Sequence, residues 1–171
     1  MVEKNYKGFS EESLRRIALK KVNFRMSVKI HFGVFIVVSL LLVFVNYLFT
    51  PLLWWAFIPI LGWFIGFSEH LTSYLVYARG VYPMSKRGVI FHIVAYVTTS
   101  ILLFAINLMT NPFYWVIFPL IFWGAALMIH IVSYSVLHRG SMDKSGVLRS
   151  KKERAIEKEM HKMKNRMSKD Q

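Results

Sequence analysis

The sequence predicts an all-α membrane protein: four transmembrane helices as two repeated helical hairpins, with amphipathic cytoplasmic N- and C-terminal helices. Three observations predict it. The 171 residues are 55% hydrophobic, yet carry 22 Lys and Arg against nine Asp and Glu, a net charge of +13. Mean hydropathy is still positive, at +0.41. Apolar and charged residues must therefore be segregated into blocks, as in membrane proteins. The second observation is that segregation itself. Between Ile30 and Tyr77 the one formally charged residue is Glu69, and between Gly88 and Leu137 there is none. The third is an internal repeat, set out below. With no Cys, a disulfide framework is excluded. The blockwise charge also argues against a nucleic-acid-binding domain.

Residues 1–29 form a basic amphipathic lead-in. They lack an early apolar core or cleavage site, so no signal peptide is expected. Glu11 and Glu12 after Ser10 favour a helix start. The first hairpin spans 30–78, with helices at 30–49 and 52–77 broken by Thr50-Pro51. A cytoplasmic linker follows at 79–87. The second hairpin spans 88–138, with helices at 88–109 and 113–137 broken by Thr110-Asn111-Pro112. Proline disfavours helix just before itself and suits the start of the next. Each half is long enough for two crossings of about 20 residues. Four such runs cannot all be central in a soluble globule of this length.

Orientation follows from the basic residues. Eight Lys and Arg precede the first helix, three lie in the middle linker and eleven follow the fourth helix; the hairpin turns hold none. The positive-inside rule places all three basic segments in the cytoplasm. The expected protein is thus a multi-pass protein of the cell membrane, with both termini cytoplasmic.

At an offset of 60 or 61 residues, His31 falls on His92, Asn46 on Asn107, Pro51 on Pro112, Trp55 on Trp115, Pro59 on Pro119, Trp63 on Trp123 and His70 on His130. Ser73-Tyr74 likewise fall on Ser133-Tyr134. Matches at rare and polar residues do not arise from shared hydrophobicity, and an even number of crossings per half gives the halves parallel topology. Each half resembles the two-transmembrane-helix (2TM) domain family. Its features are a His near the start of the first helix, an Asn near its outer end, a Trp and Pro opening the second, a Trp–Gly pair and a closing His. Here these are His31, Asn46, Trp55, Pro59, Gly62-Trp63 and His70, then His92, Asn107, Trp115, Pro119, Trp123-Gly124 and His130. The Gly precedes Trp in the first half and follows it in the second. The resemblance implies a membrane module, often attached to signalling domains, whose biochemical role is unassigned.

Each of His31, His70, His92 and His130 stands 19 residues from its turn, about 28 Å along a helix, near the roughly 30 Å hydrocarbon thickness. All four are expected in one layer at the cytoplasmic membrane edge. Imidazoles so placed suit a metal such as Zn or Cu, or haem iron. Ser73, Tyr74, Ser133 and Tyr134 would then orient the rings. The alternatives are hydrogen bonds that tie helices together and proton sensing. Glu69 neighbours His70, but its counterpart is Ile129. Asn46 and Asn107 are expected to hold helices together, and Gly62 and Gly66 to permit close helix approach. Trp54, Trp55, Tyr114 and Trp115 read as an aromatic belt, and His138 and His161 as solvated.

In the tail, Ile156, Met160, Met163 and Met167 are spaced 4, 3 and 4 among lysines. That stripe fits anionic lipid, or a second helix in a homodimer or a membrane signalling partner. No Ser–His–Asp set, phosphate-binding loop or paired membrane carboxylates occur in the sequence, so no enzyme is expected. The function expected is non-enzymatic sensing, anchoring or assembly with a four-His site. A ligand-free structural or partner-binding protein is the alternative, and a membrane-bound enzyme ranks last.

Overall fold

In the computed structural model, residues 10–81, 84–110, 113–138, 140–142 and 148–167 are described. The first nine residues, Asn111, Pro112 and Arg139 lie outside them, as does the Met167 side chain. The chain forms two compact units, Met1–Gly124 and Ala125–Gln171.

Helix α1 runs from Glu11 to Phe49. The Ser10 side chain caps it, accepting from the Ser13 N–H at 3.2 Å, and Glu11 and Glu12 complement the dipole in its first turn. At 1.5 Å per residue its 39 residues span about 58 Å, roughly twice the hydrocarbon thickness. The lead-in is thus not a separate helix. No Gly or Pro falls between Ser10 and Gly33, so nothing interrupts the backbone where the charged segment becomes apolar.

Helix α2, Phe57–Ala78, packs on α1 and on α3, Met84–Thr110. It begins five residues later than expected, because 50–56 form an elaborated turn. Its end is a Schellman motif. Gly80 takes φ of 59°, the Gly80 N–H donates to the Tyr77 carbonyl, and the Val81 N–H donates to the Val76 carbonyl, both at 3.1 Å. Arg87 then donates through Nε to the Val81 carbonyl at 2.7 Å.

Helix α4, Ile117–His138, starts in the first unit and continues into the second. The second unit then holds β1, Gly140–Met142, paired antiparallel with β2, Leu148–Ser150, and α5, Lys151–Met167. The ribbon is a departure from the all-α expectation. Its sequence signal is a run of turn-forming residues, Asp143, Ser145 and Gly146, between two short segments. The Ser150 hydroxyl accepts from the Glu153 N–H at 3.1 Å and caps α5.

Helices α1, α3 and α4 are long and apolar enough to cross a membrane, yet only 11%, 11% and 6% of their most apolar stretches are buried. Val37, Leu40, Phe49, Leu108 and Phe122 are among the large side chains left facing outward. Exposed apolar surface on this scale is what a lipid environment covers. Helix α2, with Pro59, Glu69 and His70 along it, is not among these three.

Candidate functional site

The polar groups of the first unit converge at two levels. The first is the turn of each hairpin. The Asn46 side chain is fully buried; its amide nitrogen donates to the carbonyls of Thr50 at 2.9 Å and Leu53 at 2.8 Å. Its oxygen accepts from the Ala56 N–H at 2.9 Å. One side chain thus satisfies backbone groups at the end of α1, through the turn and at the start of α2. Trp55 donates through Nε1 to the Thr50 hydroxyl at 2.7 Å, closing the turn from outside.

The second hairpin repeats the arrangement. Asn107, 1% exposed, donates to the Phe113 carbonyl at 3.0 Å and accepts from the Val116 N–H at 3.0 Å. Sequence reading expected Asn46 and Asn107 to join helices. The structure makes each a clamp on its own hairpin turn, which is why α2 and α4 start late.

The clamp sets the register below it. His31 lies 15 residues before Asn46 and His70 lies 14 after Ala56, so both rings fall about 21–23 Å from the clamp. Their centroids are 4.8 Å apart. Nδ1 of His31 donates to the Ser27 carbonyl at 2.9 Å, while the Ser27 hydroxyl bonds Nε2 of His70 at 3.1 Å. Phe24 stacks on His70 and on Tyr77, each at 6.0 Å, and Lys20 lies 5.3 Å over the Tyr77 ring. Farther along α1 an open groove of about 570 Å³ is lined by Arg15, Arg16, Lys20 and Phe24.

Of the four expected histidines, the first unit brings two together. His31 and His70 meet. His92 lies 6.5 Å from Trp123, and His130 belongs to the second unit. Among the described residues, no three His, Asp or Glu side chains form a group that could hold a metal ion. The rings of His31 and His70 are also too close for haem. Two axial imidazoles on iron–nitrogen bonds of about 2 Å need more than 4.8 Å between centroids.

The expected ring-orienting partners differ as well. Among the described residues, Ser73, Tyr74 and Ser133 make no side-chain hydrogen bond or ring contact. Ser27 serves His70 because it lies one turn before His31 on the helix face that meets α2. Its counterpart in the repeat is Gly88, which has no side chain to make that bond. Tyr134 stacks on His138 at 4.4 Å and accepts from its Nδ1 at 3.0 Å through the backbone carbonyl, so His138 is packed rather than simply solvated. Ser27 was legible as a serine four residues before His31, a spacing that puts both on one face. One oxygen of Glu69 and the hydroxyl of Ser39 are buried with no hydrogen-bond partner among the described residues.

Gly62 and Gly66 do not mediate close helix approach within the first unit. A Cβ at either would meet nothing within 4 Å. Gly124 is the glycine that packing requires: a Cβ there would lie 3.0 Å from the Tyr96 hydroxyl. That hydroxyl donates to the Leu120 carbonyl at 3.1 Å, and the Tyr96 ring meets Trp123 edge-on at 5.7 Å. In the first half the corresponding residues are Phe35 and Trp63, also edge-on at 6.2 Å, and Phe64 takes the place of Gly124. The Tyr96 hydroxyl thus accounts for the Gly after Trp123, whereas no contact requires the Gly before Trp63.

A family model described as the 2TM domain matches this chain twice, at residues 16–79 and 84–161. No curated protein and no solved structure matches it.

Proposed function

The chain belongs to the 2TM domain family, as a tandem duplication of the module, and from that premise we propose a multi-pass protein of the cell membrane with four crossings, both termini cytoplasmic, acting in non-enzymatic anchoring, sensing or assembly. One observation carries the assembly reading. The fully buried polar side chains, Asn46 and Asn107, are spent on the hairpins' own backbone. That is the chemistry of a packing module and leaves no polar line through the apolar layer.

Four crossings are supported by the path of α2. Its 22 residues extend about 33 Å, and it lies beside α1 from the Asn46 clamp to the His31–His70 contact. A helix that returns along a spanning partner for that distance re-crosses the same layer. The cytoplasmic ends follow from the basic segments on either side.

In this reading Ser27, His31 and His70 tie α1 to α2 at the inner edge of the membrane. A second reading assigns the pair to a transition metal such as Zn or Cu. It has one observation in its favour: Nδ1 of His31 is engaged by a carbonyl, which aims Nε2 outward as a ligand. The two readings separate by metal analysis of detergent-purified protein and by thermal unfolding. The tether predicts metal-free protein and a loss of about 1–2 kcal/mol on His70→Ala, from one hydrogen bond and the Phe24 stacking. Stoichiometric metal that disappears with His31→Ala would overturn it.

A further inference from the structure

We propose that α5 binds an anionic lipid surface, with Ile156, Met160 and Met163 entering the acyl boundary and the flanking lysines on the headgroup phosphates. Three observations within the second unit carry this. The first is the ribbon. Its register pairs Gly140 with Ser150, so the chain returns at Lys151 to within one strand spacing of the point two residues past the end of α4. Helix α4 is apolar enough to cross a membrane. The start of α5 is therefore held where α4 leaves the lipid, and the Ser150 cap leaves no slack between ribbon and helix.

The second observation is the stripe. Ile156, Met160 and Met163 fall on one line of the helix, and each is about half exposed. The third is charge: residues 151–167 hold seven Lys and Arg against three Glu. One acid, Glu159, is already paired with Lys162 at 2.7 Å. At 100° per residue, Lys152 and Lys164 border the stripe at about 40° and 80°, where long stems let the ammonium groups reach phosphate while the methionines insert. A coiled coil with a second copy is disfavoured, since a stripe of about two turns is too short for one.

The inference rests on α4 crossing the bilayer, and the test reports that separately. The chain has no Cys, so single spin labels can be placed in the full-length protein at Met160→Cys, Lys158→Cys and, as a marker of α4, Ile121→Cys, in nanodiscs with and without phosphatidylglycerol. In anionic discs the label at 160 is expected to be reached by oxygen and shielded from a water-soluble nickel reagent, with the label at 158 showing the reverse. Removing the anionic lipid or raising salt should increase nickel access at 160 by about twofold or more. Met163→Cys repeats the measurement should a label at 160 disturb folding. Equal nickel access at 160 and 158 in anionic discs would overturn the proposal. So would spin–spin broadening at 160 that ignores lipid composition, which would assign the stripe to a second copy. A label at 121 exposed to nickel would instead strike the crossing of α4.

Discussion

Asn46→Ala is expected to destabilise the protein by about 3 kcal/mol, because a fully buried side chain with three backbone partners is lost at once. The Ala56 N–H would be left without its partner beside a cavity the size of an amide, and the Leu53 carbonyl would keep only its bond from the Trp55 N–H. The Ala56 N–H is the more costly, since Ala56 is 1% exposed and water has little access there. Asn46→Asp separates the contributions: it keeps an acceptor for Ala56 and loses the donor to Thr50 and Leu53. It should be no more stable than Asn46→Ala, because its second carboxyl oxygen faces the two carbonyls from full burial. Asn107→Ala removes the equivalent bonds to Phe113 and Val116 and should be destabilising by a similar amount. Thermal or denaturant unfolding in a fixed detergent reads these differences. Unchanged stability for both alanine variants would show that the turns hold without their clamps.

The second large effect is expected at Gly124. Phenylalanine there places its Cβ 3.0 Å from a Tyr96 hydroxyl already held by the Leu120 carbonyl. To yield, Tyr96 must give up that bond or its edge-on contact with Trp123. Gly124→Phe should therefore cost about 1–3 kcal/mol through overpacking, despite the gain in helix propensity from losing a glycine. The first half already contains the solution to this conflict, with Phe35 and Phe64 around Trp63. Adding Tyr96→Phe to Gly124→Phe should recover at least about 1 kcal/mol of the loss. A double mutant whose cost equals the sum of the single costs would contradict the packing account.

Both predictions concern features only half legible from residue order. The repeat exposed Asn46 and Asn107 as matched polar residues near the outer helix ends, and their importance could be read from that. Their role as turn clamps could not. It depends on the seven-residue excursion from Thr50 to Ala56, whose backbone bonds are not periodic and leave no hydropathy signal. His31 and His70 were placed level with each other by counting from the turn, because helical rise is fixed, and they do meet. The same count said nothing about lateral position, which puts His92 against Trp123 and leaves no metal-binding trio among the described residues.

Gly62 and Gly66 show the opposite failure. Their spacing fits a close-packing motif, but spacing does not say which face of α2 meets a neighbour, and that stripe faces outward in the first unit. The Gly–Trp inversion between the halves is plain in the sequence, but the contact that requires Gly124 depends on where the Tyr96 hydroxyl lies, which residue order does not state. The β-ribbon was missed because it is short and polar, and only its turn residues announce it. The apolar spans were the most legible, since block segregation of charge follows directly from the lipid solvent.

The central claim is that α2, which carries Glu69 and His70, crosses the membrane although only α1, α3 and α4 are long and apolar enough to do so by length and composition. Single cysteines introduced at Thr50 and Asn111 in the Cys-free chain, challenged in intact cells with a membrane-impermeant maleimide, test it most directly. Two like-oriented hairpins predict labelling of both from outside, with a cysteine at Ser10 protected until the cells are permeabilised. Labelling of position 50 from outside and of position 111 only after permeabilisation would mean three crossings, and would contradict the paired-hairpin architecture.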